Sequence, residues 1–233
     1  MLGLPDDTRA CLFDLDGVLT QTAKVHAAAW KQMFDEYLRT RPEPLREFTQ
    51  DDYEEYVDGK PREDGVRSFL ESRGIEFDGK TVMELADRKN DLVQRLIHDQ
   101  GVEVYEGSVR YVKAARDAGL RRAVVSSSAN TREVLRVTGI EDLFEAVIDG
   151  VTVDREGLKG KPAPDTFLAG ARALDTEPAH AVVFEDALAG VEAGRAGSFG
   201  FVVGVDRVGH ADELREHGAD VVVSDLAELL ERP

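Results

Sequence analysis

From residue 121 onward the chain alternates short valine-rich runs with stretches of helical period, and no other feature restricts its fold so strongly. The pattern predicts strands at 121–125, 144–148, 181–184, 199–205 and 220–223, with helices from about Asn130 and at 164–174, 188–196, 212–217 and 226–231. Asn130 and Glu133 have the spacing of a capping box at the first of these helices. Short apolar runs separated by helices are strands covered on both faces, which implies a parallel sheet.

One run of the same kind lies far upstream, at 10–14. Between it and the others come helical patterns at 23–38, where Val25, Ala29, Met33 and Tyr37 are in helical register, and at 63–72 and 82–98. Gly74 and Gly79 punctuate them, and Pro42 and Pro44 mark a loop over 40–50. The economical arrangement is a discontinuous α/β domain, residues 1–19 with 101–233, and a helical insertion at 20–100.

A chain of 233 residues can bury one sizeable core and a smaller satellite. No apolar run is long enough for a bilayer, and the opening MLGLPDDTRA lacks the basic-then-apolar order of a signal peptide. A soluble cytoplasmic protein without a membrane partner is expected. The net charge of −17, from 29 basic and 46 acidic residues, repels nucleic acid and anionic lipid. An anionic substrate therefore needs a local positive pocket. The single cysteine, Cys11, excludes an intrachain disulfide and reads as a small core residue.

Four segments carry chemistry. In Phe13-Asp14-Leu15-Asp16-Gly17, Asp14 falls at the carboxyl end of a strand, where open α/β sheets bind ligands. A second carboxylate two residues on suits Mg²⁺, which prefers hard oxygen donors. The positions an EF-hand gives to Gly and Glu are Leu19 and Val25 here, so this is no calcium loop. In Val125-Ser126-Ser127-Ser128-Ala129-Asn130, hydroxyls between a strand and a helix N-terminus form a phosphate cradle or, more plainly, a capped loop. No G-x-S-x-G surrounds these serines. In Gly160-Lys161-Pro162-Ala163-Pro164, two prolines stiffen a loop whose lysine can neutralise a carboxylate and a phosphoryl oxygen. In Phe184-Glu185-Asp186, a strand again ends in acids, which need a cation or raise each other's pKa. No Walker loop or zinc cluster is present.

In this order and at these strand ends, the four segments resemble the motif set of the haloacid dehalogenase (HAD) superfamily, and the likeness covers nearly the whole chain. It implies a Rossmann-like parallel-sheet core with an inserted helical cap, and Mg²⁺-dependent phosphoryl transfer. Asp14 then stands as the nucleophile and Asp16 as the acid/base, with its backbone carbonyl facing the metal. Ser126 and Lys161 hold the phosphoryl group. Asp186 is a metal ligand, with Glu185 beside it as ligand or support.

The insertion resembles the caps of the β-phosphoglucomutase-like family through 22–30, 59–64 and 88–91. That likeness implies Arg62 on the non-transferring phosphate, His26 and Lys89 near the acid/base, Thr22 at the hinge and Trp30 beside the substrate. Ser127, Ser128 and Asn130 help hold the distal phosphate. Ala129 departs from the lysine usual in that family, and Gln21 from an acid. The implied activity is conversion of β-glucose 1-phosphate to glucose 6-phosphate through a bisphosphate, by a monomer or weak dimer. A sugar-phosphate phosphatase on the same scaffold and a non-catalytic phosphate binder are the other readings. The second has no need of both Asp14 and Asp16.

Overall fold

The computed structural model of the chain describes residues 2–43 and 45–231, so Pro44 of the expected loop lies outside the described residues. Six strands form one parallel sheet in the order β3-β2-β1-β4-β5-β6. They are β1 (Ala10–Phe13), β2 (Arg121–Val125), β3 (Ala146–Ile148), β4 (Ala181–Glu185), β5 (Phe201–Val205) and β6 (Val221–Val223). β1 is central, with Phe13 in register with Val124 on one side and Phe184 on the other. The strand order reverses direction between β1 and β4, which opens a crevice at their carboxyl ends.

The period of two along β1 divides the core between both faces of the sheet. Ala10 and Leu12 pack with Val125, Phe167 and Val183, whereas Cys11 and Phe13 pack with Val124, Tyr111 and Phe184. Phe13 stacks on Phe184 at 4.4 Å and meets Tyr111 edge-on at 6.5 Å. Burial of each such ring contributes about 1.5–3 kcal/mol.

Between β1 and β2 come α1 (Thr22–Leu38), the single turn α2 (Gln50–Asp52) running into a π turn (Tyr53–Val57), α3 (Arg62–Ser72), α4 (Gly79–Gln100) and α5 (Glu106–Asp117). The insertion has its own aromatic centre, in which Phe34 stacks with Trp30 and Phe48 and leans on Phe69 at 4.1 Å. Its outgoing and returning links run side by side. Thr20 bridges Val104, Gln21 N–H donates to Glu103 O at 2.9 Å, and Tyr105 N–H donates to Leu19 O at 2.9 Å. Beyond β2 follow α6 (Thr131–Thr138), α7 (Gly150–Glu156), α8 (Asp165–Ala173), α9 (Leu188–Ala196) and α10 (Ala211–Glu216), with a 3₁₀ segment at Leu226–Glu231.

Some sequence expectations need correction. α4 begins at Gly79, three residues ahead of its expected start, because the Asp78 side chain accepts from Thr81 N–H at 2.8 Å and caps the helix there. Asn130 occupies the N-cap of α6, but its side chain makes no cap bond. Helices α5 and α7 were not anticipated, and β3, β5 and β6 are shorter than their apolar runs. The last helix is 3₁₀ in type. Among the described residues no helix is long and apolar enough to cross a membrane.

Candidate active site

The ends of β1, β2 and β4 bring Asp14, Ser126 and the pair Glu185-Asp186 to one side of the sheet. Asp14 N–H donates to Phe184 O at 2.9 Å, which ties the first strand end to the fourth. Lys161 arrives from the loop before α8. Its Nζ donates to Asp14 Oδ1 at 2.6 Å, Glu185 Oε1 at 2.5 Å and Val125 O at 3.3 Å, so all three ammonium hydrogens have acceptors. The other oxygen of Glu185 accepts from Ala187 N–H at 2.8 Å. Glu185 is thus held on both oxygens.

These groups are buried, and that sets their electrostatics. Burial pushes the Asp14 carboxyl well above its usual range; Lys161 opposes this, while Glu185 and Asp16 reinforce it. Asp186 is raised in the same way by burial, then by Asp58, Glu185, Asp14 and Asp16. Burial works against the Lys161 charge, but Asp14 and Glu185 outweigh it and hold the ammonium above its ordinary pKa. The backbone at Gly17 matters here. Its φ is +82°, and a Cβ would stand 1.7 Å from Asp186 Oδ2, so only glycine lets that carboxylate lie against the loop.

Asp16 faces the insertion. The Thr22 hydroxyl donates to its Oδ1 and also pairs with Thr20. His26 Nε2 lies 3.5 Å from the same oxygen, buried and without a closer partner. His26 Nδ1 is 2.7 Å from Lys89 Nζ, which sits 4.8 Å over the Trp30 ring. Burial, then Lys89, lowers the His26 pKa to about 4 against the opposing pull of Asp16. Burial lowers Lys89 to about 7, with Asp16 opposing. A Lys89 ammonium donating to Nδ1 fixes the imidazole tautomer, so the Nε2–H points toward Asp16.

A cavity of about 760 Å³ lies between sheet and insertion. Asp14, Asp16, His26, Trp30, Arg62, Lys89, Ser126, Ser127, Ser128, Asn130, Lys161, Glu185 and Asp186 all line it. Thr22 stands behind Asp16. Arg62 is partly exposed, 3.7 Å from Asp87. Ser126 Oγ accepts from Ser128 N–H at 3.1 Å. Two expected phosphate holders are engaged across the seam instead. Ser127 Oγ donates to Gly59 O at 2.9 Å, and the Asn130 amide bonds Asn90 at 3.0 Å and Gln94 at 3.2 Å. Ala129 also lines the cavity.

Residues 8–197 match the model of the haloacid dehalogenase-like hydrolases. A β-phosphoglucomutase of Mycobacterium tuberculosis (strain CDC 1551 / Oshkosh) is 56% identical over 99% of this chain and 94% of its own length. The chain belongs to the haloacid dehalogenase-like hydrolase family. Further relatives of this HAD chain include a β-phosphoglucomutase of Bacillus subtilis (strain 168), 34% identical over 95% of the chain and 91% of the relative. A crystal structure of β-phosphoglucomutase from Clostridium difficile superposes with a TM-score of 0.81 at 26% identity, covering 95% of this chain and 93% of that one.

The HAD site contains an acid beside Asp186 that sequence reasoning missed. Asp58, from the turn after Tyr53–Val57, also lines the cavity. Burial lifts its carboxyl to about 6 against a hydrogen bond from Tyr53, with Glu185 and Asp16 adding to the rise. The only sequence signal was an Asp-Gly pair just ahead of Pro61-Arg62.

Proposed function

We propose that this chain is a β-phosphoglucomutase, converting β-glucose 1-phosphate to glucose 6-phosphate through an aspartyl-phosphate on Asp14. The 56% identity to a β-phosphoglucomutase across nearly both whole chains supports the activity. The observation that carries the mechanism is the placement of Lys161 at 2.6 Å from Asp14 in a cavity roofed by an insertion that brings its own cations, Arg62 and Lys89. A cationic group at the reacting end and several in the roof, Arg62 and Lys89 among them, match a substrate that carries two phosphoryl groups in its intermediate. The division into a core, 1–19 with 101–233, and a cap, 20–100, belongs to the same proposal.

The residues fit Mg²⁺. Among the described residues no three acidic, histidine or cysteine side chains form a ready cation cage. Mg²⁺ needs only one or two carboxylates, since it keeps several waters and takes substrate phosphate oxygens. Asp14, Asp186 and the Asp16 carbonyl would hold it. Glu185, engaged on both oxygens, would hold Lys161. When bound, the ion supplies positive charge that keeps both raised carboxyls ionised and offsets charge on the phosphoryl oxygens.

The chain's own groups carry the proton and phosphoryl traffic. Asp16, with His26 and Thr22 fixing its orientation, takes the proton from the C6 hydroxyl as that oxygen bonds phosphorus and the Asp14–phosphorus bond breaks. The resulting β-glucose 1,6-bisphosphate turns over in the cavity. Asp14 then attacks the phosphorus at C1, and Asp16 returns its proton to the departing sugar oxygen. Lys161 and Ser126 steady the transferring group, and Arg62 and Ser128 the resting one. The roof keeps water from the aspartyl-phosphate. A membrane-impermeant substrate sets the enzyme in the cytoplasm, acting as a monomer or weak dimer.

Phosphorus NMR with Mg²⁺, β-glucose 1-phosphate and a trace of the bisphosphate tests this reading. Glucose 6-phosphate is the expected product; free phosphate with little isomer overturns it in favour of a phosphatase.

A further inference from the structure

Asp58 is an acid in a place that phosphate recognition does not explain. Its N–H donates to Tyr53 O at 2.9 Å, an i to i+5 bond that closes the π turn, and such turns recur at functional sites. The Tyr53 hydroxyl and Gly59 N–H lie beside its carboxylate and favour the charged form. The next residue anchors the turn on the core. Gly59 O accepts the Ser127 hydroxyl at 2.9 Å, and a Cβ on Gly59 would sit 3.4 Å from Ala187 Cβ. Asp58 is therefore fixed at the point where the insertion meets the loop after β4, beside Asp186 and at the reacting end of the cavity.

No cation pairs with it directly, and the acids of the reacting end crowd it with charge of its own sign. Asp16, Glu185 and Asp186 are its acidic neighbours; Lys89 is felt across the cavity, but among the described residues no lysine, arginine or histidine stands within ion-pair distance of Asp58. A carboxylate offers about four acceptor sites. Tyr53 and Gly59 flank the carboxylate on one side, and its remaining acceptor sites face a cavity built for a dianionic ester. A phosphoryl group is repelled from this spot. Neutral O–H donors are not, and a hexose ring presents them beside the oxygen that gains or loses the phosphoryl group.

We propose that Asp58 is a specificity-determining residue whose carboxylate accepts a hydrogen bond from one ring hydroxyl of the sugar and keeps the phosphoryl groups out of that part of the cavity. This rests on the sugar-phosphate reading above. Tyr53 is its positioning residue, holding the carboxylate toward the ring.

The test pairs deletion of the acid with deletion of the hydroxyl. Wild type, Asp58→Ala, Asp58→Asn and Tyr53→Phe are assayed with β-glucose 1-phosphate and its 2-deoxy, 3-deoxy and 4-deoxy analogues. In wild type, one deoxy analogue is expected to lose about tenfold or more in kcat/KM, because its absence leaves a buried acceptor unmade. In Asp58→Ala the parent sugar falls to the level of that analogue, mostly through KM, and the analogue loses nothing further. Asp58→Asn, which keeps an acceptor oxygen, retains part of the discrimination. Tyr53→Phe keeps the acid and shows the same preference with a severalfold higher KM. Equal deoxy penalties in wild type and Asp58→Ala overturn the proposal. A wild type inert toward every one of these sugars overturns the sugar-phosphate reading itself, and the Asp58 assignment with it.

Discussion

Lys161 Nζ stands 2.6 Å from Asp14 Oδ1, and the same ammonium is 2.5 Å from Glu185 Oε1, so one buried cation separates two carboxylates on neighbouring strands. Lys161→Met leaves that pair facing each other without compensation. Turnover is expected to fall by about 10³-fold. Breaking a buried pair from one side costs about 3–5 kcal/mol. Steady-state kinetics and urea unfolding read the two effects. Activity within a few fold of wild type would show that the ammonium plays no part in holding the transferring group.

Asp14→Asn removes the proposed nucleophile while keeping its shape. No turnover and no acid-stable-peptide phosphate label are expected, whichever oxygen of the sugar is offered. Trapping with radiolabelled bisphosphate checks this, and a labelled Asp14→Asn enzyme would move the nucleophile elsewhere.

The turn just after Asp16 tolerates no side chain at Gly17. Gly17→Ala must relieve a contact at 1.7 Å with Asp186 Oδ2 and strain a backbone at φ +82°. The acid has to withdraw. Half-saturation by Mg²⁺ is expected to rise at least about tenfold, the range seen when groups that orient metal ligands are lost. A magnesium titration of kcat measures it, and an unchanged midpoint would separate Asp186 from the ion.

His26 links stability to pH. Its folded pKa of about 4 lies below the ordinary 6.5, so between these values the unfolded chain binds more protons. The stabilisation is complete above about pH 6.5 and is lost as pH falls toward 4. The urea midpoint should therefore drop from pH 7 to pH 5, and drop less steeply in His26→Gln. Parallel slopes in the two proteins would contradict the buried, neutral imidazole.

The seam contacts of Ser127 and Asn130 hold the roof on the sheet. Removing both in a Ser127→Ala/Asn130→Ala protein is expected to raise the share of free phosphate among products severalfold, since water gains entry to the phosphoenzyme. Phosphorus NMR of the product mixture gives the ratio. An unaltered ratio would mean that other contacts keep the cavity dry.

The strand ends were legible because an apolar run that stops at an acid leaves few alternatives to a ligand site. Asp14 and Glu185-Asp186 announce themselves in this way, and the branched residues around them declare a sheet covered on both faces. Asp58 did not, since it follows a π turn and wide turns leave no periodic trace in residue order. Asn130 misled for a related reason. Its spacing to Glu133 suits a cap, but Asn90 and Gln94 reach it from a helix about forty residues upstream, and only the tertiary fold decides which partner wins. Gly79 reads as punctuation in sequence, yet the side chain of Asp78 starts a helix there.

Because the chain leaves the sheet and returns to it through segments joined at Thr20 and Val104, the insertion hangs from a double strap rather than a single thread. A double strap permits swinging about the line that crosses it and resists rotation about its length. Such a tether fits the single register in which His26 Nε2 meets the Oδ1 oxygen of Asp16.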